Sequence, residues 1–183
     1  LKKSVEIIAQ AVSPLLQLDR NKISDKQGQP HIKPFYQTFG ISPQQTPIGD
    51  ALCSIVLKKH LEDEALLVLS GTLQKSYPAQ CSALQNLNAT ETRSWMQQNQ
   101  GAISGITELD LSNSNLKIIP QEINLLTGLT ELNLNNNQLR AIPDNAFDNL
   151  TNLKALDLSH NQFRKIPNNA FHNLPNLKGL DLS

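Results

Sequence analysis

Cysteine, methionine and aromatic residues are scarce in this chain: two cysteines, one methionine, one tryptophan, two tyrosines and five phenylalanines among 183 residues. Two cysteines permit at most one disulfide, so the fold is no disulfide framework. Cys53 and Cys81 both stand in apolar, helix-like contexts, where a free thiol packs as a small hydrophobe. Charge is sparse and balanced, with 16 basic and 16 acidic residues and a net charge of zero, which argues against long-range attraction to nucleic acid or an anionic membrane. The balance holds locally: ten Lys/Arg and eight Asp/Glu precede residue 101, six and eight follow it. No apolar run reaches the roughly 18 residues that cross a bilayer; the longest is the interrupted ALLVLSGTL at 65–73. The expected partner is therefore neither a nucleic acid nor a membrane interior. The chain begins at Leu1, so a leader could have been removed without trace.

Catalytic and metal motifs are missing as well. His31, His60, His160 and His172 are far apart and no pair has metal-ligand spacing, nor do Cys53, His60 and Cys81 make a C-x2-4-C site. Neither a glycine-rich phosphate loop nor a G-x-S-x-G or H-E-x-x-H motif occurs. No catalytic residue, cofactor or metal is expected, and the chain reads as a non-enzyme.

What is present is a repeat. Apolar residues at offsets 0, 3 and 5 recur as Ile106, Leu109, Leu111; Leu129, Leu132, Leu134; Leu153, Leu156, Leu158; and Leu177, Leu180, Leu182, at spacings of 23, 24 and 24 residues. The alternating Leu-x-Leu has strand period and turns two side chains inward. Three residues further come Ser114, Asn137 and Asn161, where an amide can bond backbone groups that a bend leaves unpaired; the shorter Ser114 should hold its bend less well. Leu116, Leu139 and Phe163 turn inward, and Ile119-Pro120, Ile142-Pro143 and Ile166-Pro167 follow, proline stopping regular pairing. Phe147 and Phe171, replaced by Ile123 in the first repeat, should fill an outer layer with Leu126, Leu150 and Leu174.

These residues make 106–182 resemble the leucine-rich-repeat superfamily, of the 24-residue IPxxAFxxLxxLxxLDLSxN kind. The resemblance implies a curved solenoid with a parallel sheet on its concave face, and binding of another protein there. The expected fold class is thus α plus α/β solenoid: a helical N-terminal domain over 1–87, irregular near 20–50, a cap helix over 88–104, and repeats over 105–183, three full and a fourth cut off.

In the first part, Val5, Ile8, Val12, Leu15 and Leu16 predict a helix over 3–18 that Pro14 kinks or ends. Phe35, Tyr36 and Phe39 suggest that part of the Gly-, Pro- and Gln-rich stretch 20–50 packs down. Residues 51–75 predict two helices, with the charge at 58–64 as an exposed junction, and a third helix at 79–87. Asn88 followed by Glu91 matches a capping box opening the cap helix. A solenoid must cover its first apolar layer, and Trp95 and Ile103 are expected to do so against Leu109 and Leu111.

The layout also resembles the leucine-rich-repeat effectors of intracellular bacteria, which implies secretion into a host cytoplasm and a host protein as partner. The cysteine ligase domain of some such effectors has a C-x-D motif that neither Cys53-Ser54-Ile55 nor Cys81-Ser82-Ala83 matches. A looser likeness, of residues 60–77 to an F-box through Leu61, Leu66, Leu67 and Leu69, implies an adaptor of a ubiquitin ligase; the expected Leu-Pro opening is absent. An extracellular receptor fragment is the third reading, favoured by the triplets Asn88-Ala89-Thr90 and Asn149-Leu150-Thr151 and opposed by the cysteine-free run before Ile106.

Equivalent positions in successive repeats stack at about 4.8 Å, so charges form columns. Asp110, Asn133, Asp157 and Asp181, flanked by Glu108 and Glu131, make one on the concave sheet; Lys117, Arg140 and Arg164, with Lys165, make another on a lateral surface. The expected partner-binding residues are Glu108, Asp110, Asn113, Glu131, Asn133, Asn135, Asp157, Ser159, His160 and Asp181, facing a basic or hydrogen-bonding protein surface. Four short strands offer a face near 400 Å², about half of what a partner typically covers, so the helical part or further repeats should share the interface. The final Leu177, Leu180 and Leu182 should leave an open edge, which implies a truncated or partly ordered chain, or self-association through that repeat.

Overall fold

The computed structural model describes residues 47–183, with side chains described from Lys58 onward and at Ile55. The expected helix at 3–18, most of the irregular stretch and the side chain of Cys53 lie outside the described residues. Residues 61–183 form one compact unit.

Helix α1, Pro47–Ser76, is continuous where the sequence predicts two helices. The charged stretch at 58–64 continues the helix, exposed at Lys58 and half-buried over 59–64, because Lys, Glu and Leu are all good helix formers and Gly71 costs only about 1 kcal/mol in a helix interior. Ala65, Leu66, Leu69 and Leu73 recur at helical spacing and are buried, leaving Leu67 exposed. The chain breaks before Pro78, which opens α2, Pro78–Cys81, at the first helical position. A 3-10 turn at Ser82–Leu84 follows, so the expected third helix at 79–87 is two short pieces. Cys81 and Leu84 are buried there.

The capping box is present: the Asn88 Oδ1 accepts from the Glu91 amide and the Glu91 Oε2 from the Asn88 amide, both at 3.0 Å. It opens α3, Ala89–Gln98. The single cap helix expected over 88–104 is interrupted at Asn99, whose backbone N–H and Nδ2 both donate to the Trp95 carbonyl, at 2.9 and 2.8 Å; such a side chain competes with the helical ladder. A short α4, Gln100–Ile103, completes the cap.

Strands β1 (Glu108–Asp110), β2 (Glu131–Asn133), β3 (Ala155–Asp157) and β4 (Gly179–Asp181) form a parallel sheet in that order. The pairing follows the repeat: Leu109, Leu132, Leu156 and Leu180 are successive partners. A parallel sheet so built requires a long return between strands, and each return supplies a second layer. Ile123, Leu126, Phe147, Leu150 and Leu174 are buried in it. Phe147 and Phe171 stack with centroids 6.3 Å apart.

The cap closes the first edge. Ile103 is fully buried and Trp95 is half-buried against the core that contains Leu109 and Leu111, but the fully buried anchor of α3 is Met96. Tyr77 contributes from the end of α1: its hydroxyl donates to the Glu108 carbonyl. Bonds from β1 to the second repeat use the flanking Thr107 and Leu111, so by strand alternation Glu108 points to the other edge. At the far side Leu180 and Leu182 are 40% and 42% exposed.

Candidate functional site

The bends after β2 and β3 are built by asparagine, and they fix what the sheet can present. Asn137 is nearly buried. Its Nδ2 donates to the carbonyls of Leu111, Leu134 and Asn135 at 2.9, 3.0 and 3.2 Å, and its Oδ1 accepts from Ser114 and Leu116 amides at 3.1 and 2.9 Å. Asn161 repeats this one turn later, bonding Leu134, Leu158 and Ser159 carbonyls and the Leu139 amide. Among the described residues the Ser114 side chain makes a single bond, donating to the Ser112 carbonyl at 3.1 Å. The first bend is thus held largely from the second repeat, the weakness its short side chain predicts.

One residue before this ladder stand Asn113, Asn136 and His160, all with positive φ of 54°, 50° and 55°. Asn and His enter the left-handed region more readily than most residues. The Asn136 Nδ2 donates to the Asn113 Oδ1, so Asn136 completes a column of which only Asn113 and His160 were expected at the site.

The acidic column has a structural task as well. In every repeat the side chain at this position accepts from the amide two residues on: Asp110 from Ser112, Asn133 from Asn135, Asp157 from Ser159 and Asp181 from Ser183, at 2.9, 3.0, 2.9 and 2.9 Å. These are Asx turns ending each strand. Asp157 is the most engaged, also accepting from the Ser159 hydroxyl at 2.6 Å and the Asn135 Nδ2 at 3.2 Å. Partial burial pushes its carboxyl up, but the bonds from Ser159 and Asn135 and the proximity of His160 outweigh this and hold it below the ordinary carboxylate value. Ser159 is buried, 5% exposed, and does not face a partner; it belongs to the turn. Asn135 is half-buried in the same network.

What remains open is a groove of about 590 Å³ over the sheet. It is lined by Glu108, Asp110, Glu131, Asn133, Asp157 and Asp181 with the intervening leucines, Ala155 and Gly179; among the described residues no Lys, Arg or His lines it. The column Glu108, Glu131, Ala155, Gly179 tapers from long carboxylates to no side chain, so charge stands highest over β1 and β2. Asn113 and His160, exposed in the turns, are not among the groove-lining residues. Among the described residues no group of three or more His, Cys, Asp or Glu could hold a metal ion, and no helix is long and apolar enough to cross a membrane.

A parallel sheet of stacked repeats with an asparagine ladder defines the class: the leucine rich repeat family model matches residues 127–183, and the C-terminal half carries a leucine-rich repeat domain. Such domains are generally protein-interaction modules and typically non-catalytic. Over 49% of its length the chain is similar, at 35% identity and a TM-score of 0.41, to a chain in the crystal structure of the TLR13–ssRNA13 complex; the match covers 13% of that chain. A search of the curated proteins finds no match.

Proposed function

We propose that the chain is a non-enzymatic protein-binding module whose acidic groove takes a basic surface of a partner protein. The observation that carries this reading is the groove lining: five carboxylates and no cation among the described residues. Glu108 and Glu131 are exposed and project from the sheet, and they are the residues on which charge recognition rests; Asp110, Asp157 and Asp181 divide their oxygens between the groove and the turns. Asn133 adds hydrogen-bonding capacity at the centre.

The finer reading is a bacterial effector secreted into a host cytoplasm and acting on a host protein there. What supports it is the layout, a helical segment and cap helix ahead of a short repeat array. For the ubiquitin-ligase adaptor reading, Leu66 and Leu69 are buried in the chain's own core, which leaves Leu67 as the exposed leucine of that stretch. Self-association is proposed through β4, on the exposure of Leu180 and Leu182; light scattering is expected to show a dimer mass, and a monomer mass at all concentrations contradicts it.

The test of the main reading is affinity capture from eukaryotic cytosol with the parent chain and with Glu108→Lys/Glu131→Lys side by side. A protein retained by the parent and lost from the variant is expected. Identical captures move the binding surface off the groove.

A further inference from the structure

Four of the six cations after residue 100 gather in one place: Lys117, Arg140, Arg164 and Lys165, just past the bends of three successive repeats. All four are exposed, and none of them is in an ion pair among the described residues. Lys117, Arg140 and Arg164 occupy the same repeat position, so they stack as rungs about 4.8 Å apart. Backbone bonding keeps them in step: the Gln138 amide donates to the Leu116 carbonyl and the Gln162 amide to the Leu139 carbonyl, both at 2.8 Å. Beside the cations runs an amide row, Asn115, Gln138 and Gln162, in which the Gln138 Nε2 donates to the Asn115 Oδ1 at 3.3 Å and the Arg140 Nε to the Gln162 Oε1 at 3.3 Å.

We infer that this lateral ladder is a second interaction surface, which binds an extended acidic peptide segment of a partner protein. Three rungs span about 10 Å and two alternate steps of an extended chain about 13 Å, a difference within the reach of Arg and Lys side chains. The cations meet carboxylates, and the amide row offers donors and acceptors to the peptide backbone running beside them. A single-stranded nucleic acid fits less well. Binding it takes aromatic stacking platforms beside the positive track, and the aromatic residue at this ladder, Phe163, is half-buried against the core. Four cations also release few counterions. The ladder carries the sign opposite to the groove, so the two surfaces select different chemistry.

The test is fluorescence anisotropy of a labelled peptide of alternating Glu and Ser, with a short oligothymidine as the competing probe. The peptide is expected to bind, and Arg140→Gln/Arg164→Gln to weaken it about tenfold. Lys154→Gln/Lys178→Gln, which removes the same charge at the entries to β3 and β4, is expected to change it less than about twofold. Arg140→Lys/Arg164→Lys should retain most of the affinity, and unchanged melting temperatures show that each variant folds. Equal losses from the two Gln pairs reduce the effect to net charge and overturn the proposal. So does an absence of peptide binding, or tighter binding of oligothymidine, which makes nucleic acid the ligand.

Discussion

Single residues decide how firmly each repeat is held. Removing the Asn137 side chain orphans backbone groups in two repeats, so Asn137→Ala is expected to cost about 3 kcal/mol in a urea titration, since each unpaired buried group costs about 1–3 kcal/mol. A loss below about 1 kcal/mol means that water replaces the ladder. Thr92 is the opposite case: it is fully buried and its hydroxyl has no partner among the described residues. Thr92→Val keeps the shape and removes the unpaired group, so it should stabilise by about 1 kcal/mol. Asp157 links stability to pH. Its carboxyl is held low in the folded chain, so the charged form contributes stability above the unfolded value, and this is lost as pH falls through the folded value. Asp157→Asn retains the acceptor of the Asx turn but not the charge, and acid titration should show a shallower fall in stability for it than for the parent in that range.

At the scale of elements, the cap is joined to the repeats by contacts distant in sequence. The Arg93 guanidinium of α3 donates from Nε to Glu122 at 2.6 Å and from a terminal nitrogen to Asp63 at 3.1 Å, tying α1, α3 and the 3-10 turn Gln121–Leu125 of the first repeat. Burial works against its charge, but the two carboxylates more than compensate and raise its proton affinity. Arg93→Ala should destabilise by about 1–3 kcal/mol, and less in high salt. Gly128 is a steric counterpart: a Cβ there would stand 2.0 Å from the Ser104 carbonyl oxygen at the end of the cap. Gly128→Ala must therefore displace backbone, and a melting temperature equal to the parent's contradicts this account of the junction.

The strands, their register and the apolar layers were legible because the repeat places the same residue type at the same position several times. So was the start of α3, whose capping box is local. The junctions were not. Arg93 lies 29 and 30 residues from its carboxylates, and no periodicity links them. The single α1 was misread because a charge run reads as a break, whereas its Lys, Leu and Glu residues continue the helix and 59–64 lies half-buried. Trp95 drew attention by size, while Met96, one residue on, turned to the core. At the groove, Glu108 and Glu131 could be read directly from strand alternation; Ser159 could not, because its burial follows from a bond to Asp157 that closes the turn.

The molecule as a whole, over residues 61–183, presents an acidic groove and a basic lateral ladder on a scaffold whose first edge is covered. On the proposed reading, charge, rather than apolar area, is the means of recognition at both surfaces. The most direct test is calorimetric titration of the captured partner into the parent chain and into Glu108→Lys/Glu131→Lys. The groove account predicts at least a tenfold rise in Kd for the variant, about 1.4 kcal/mol, with its melting temperature unchanged; an equal Kd for both chains contradicts it.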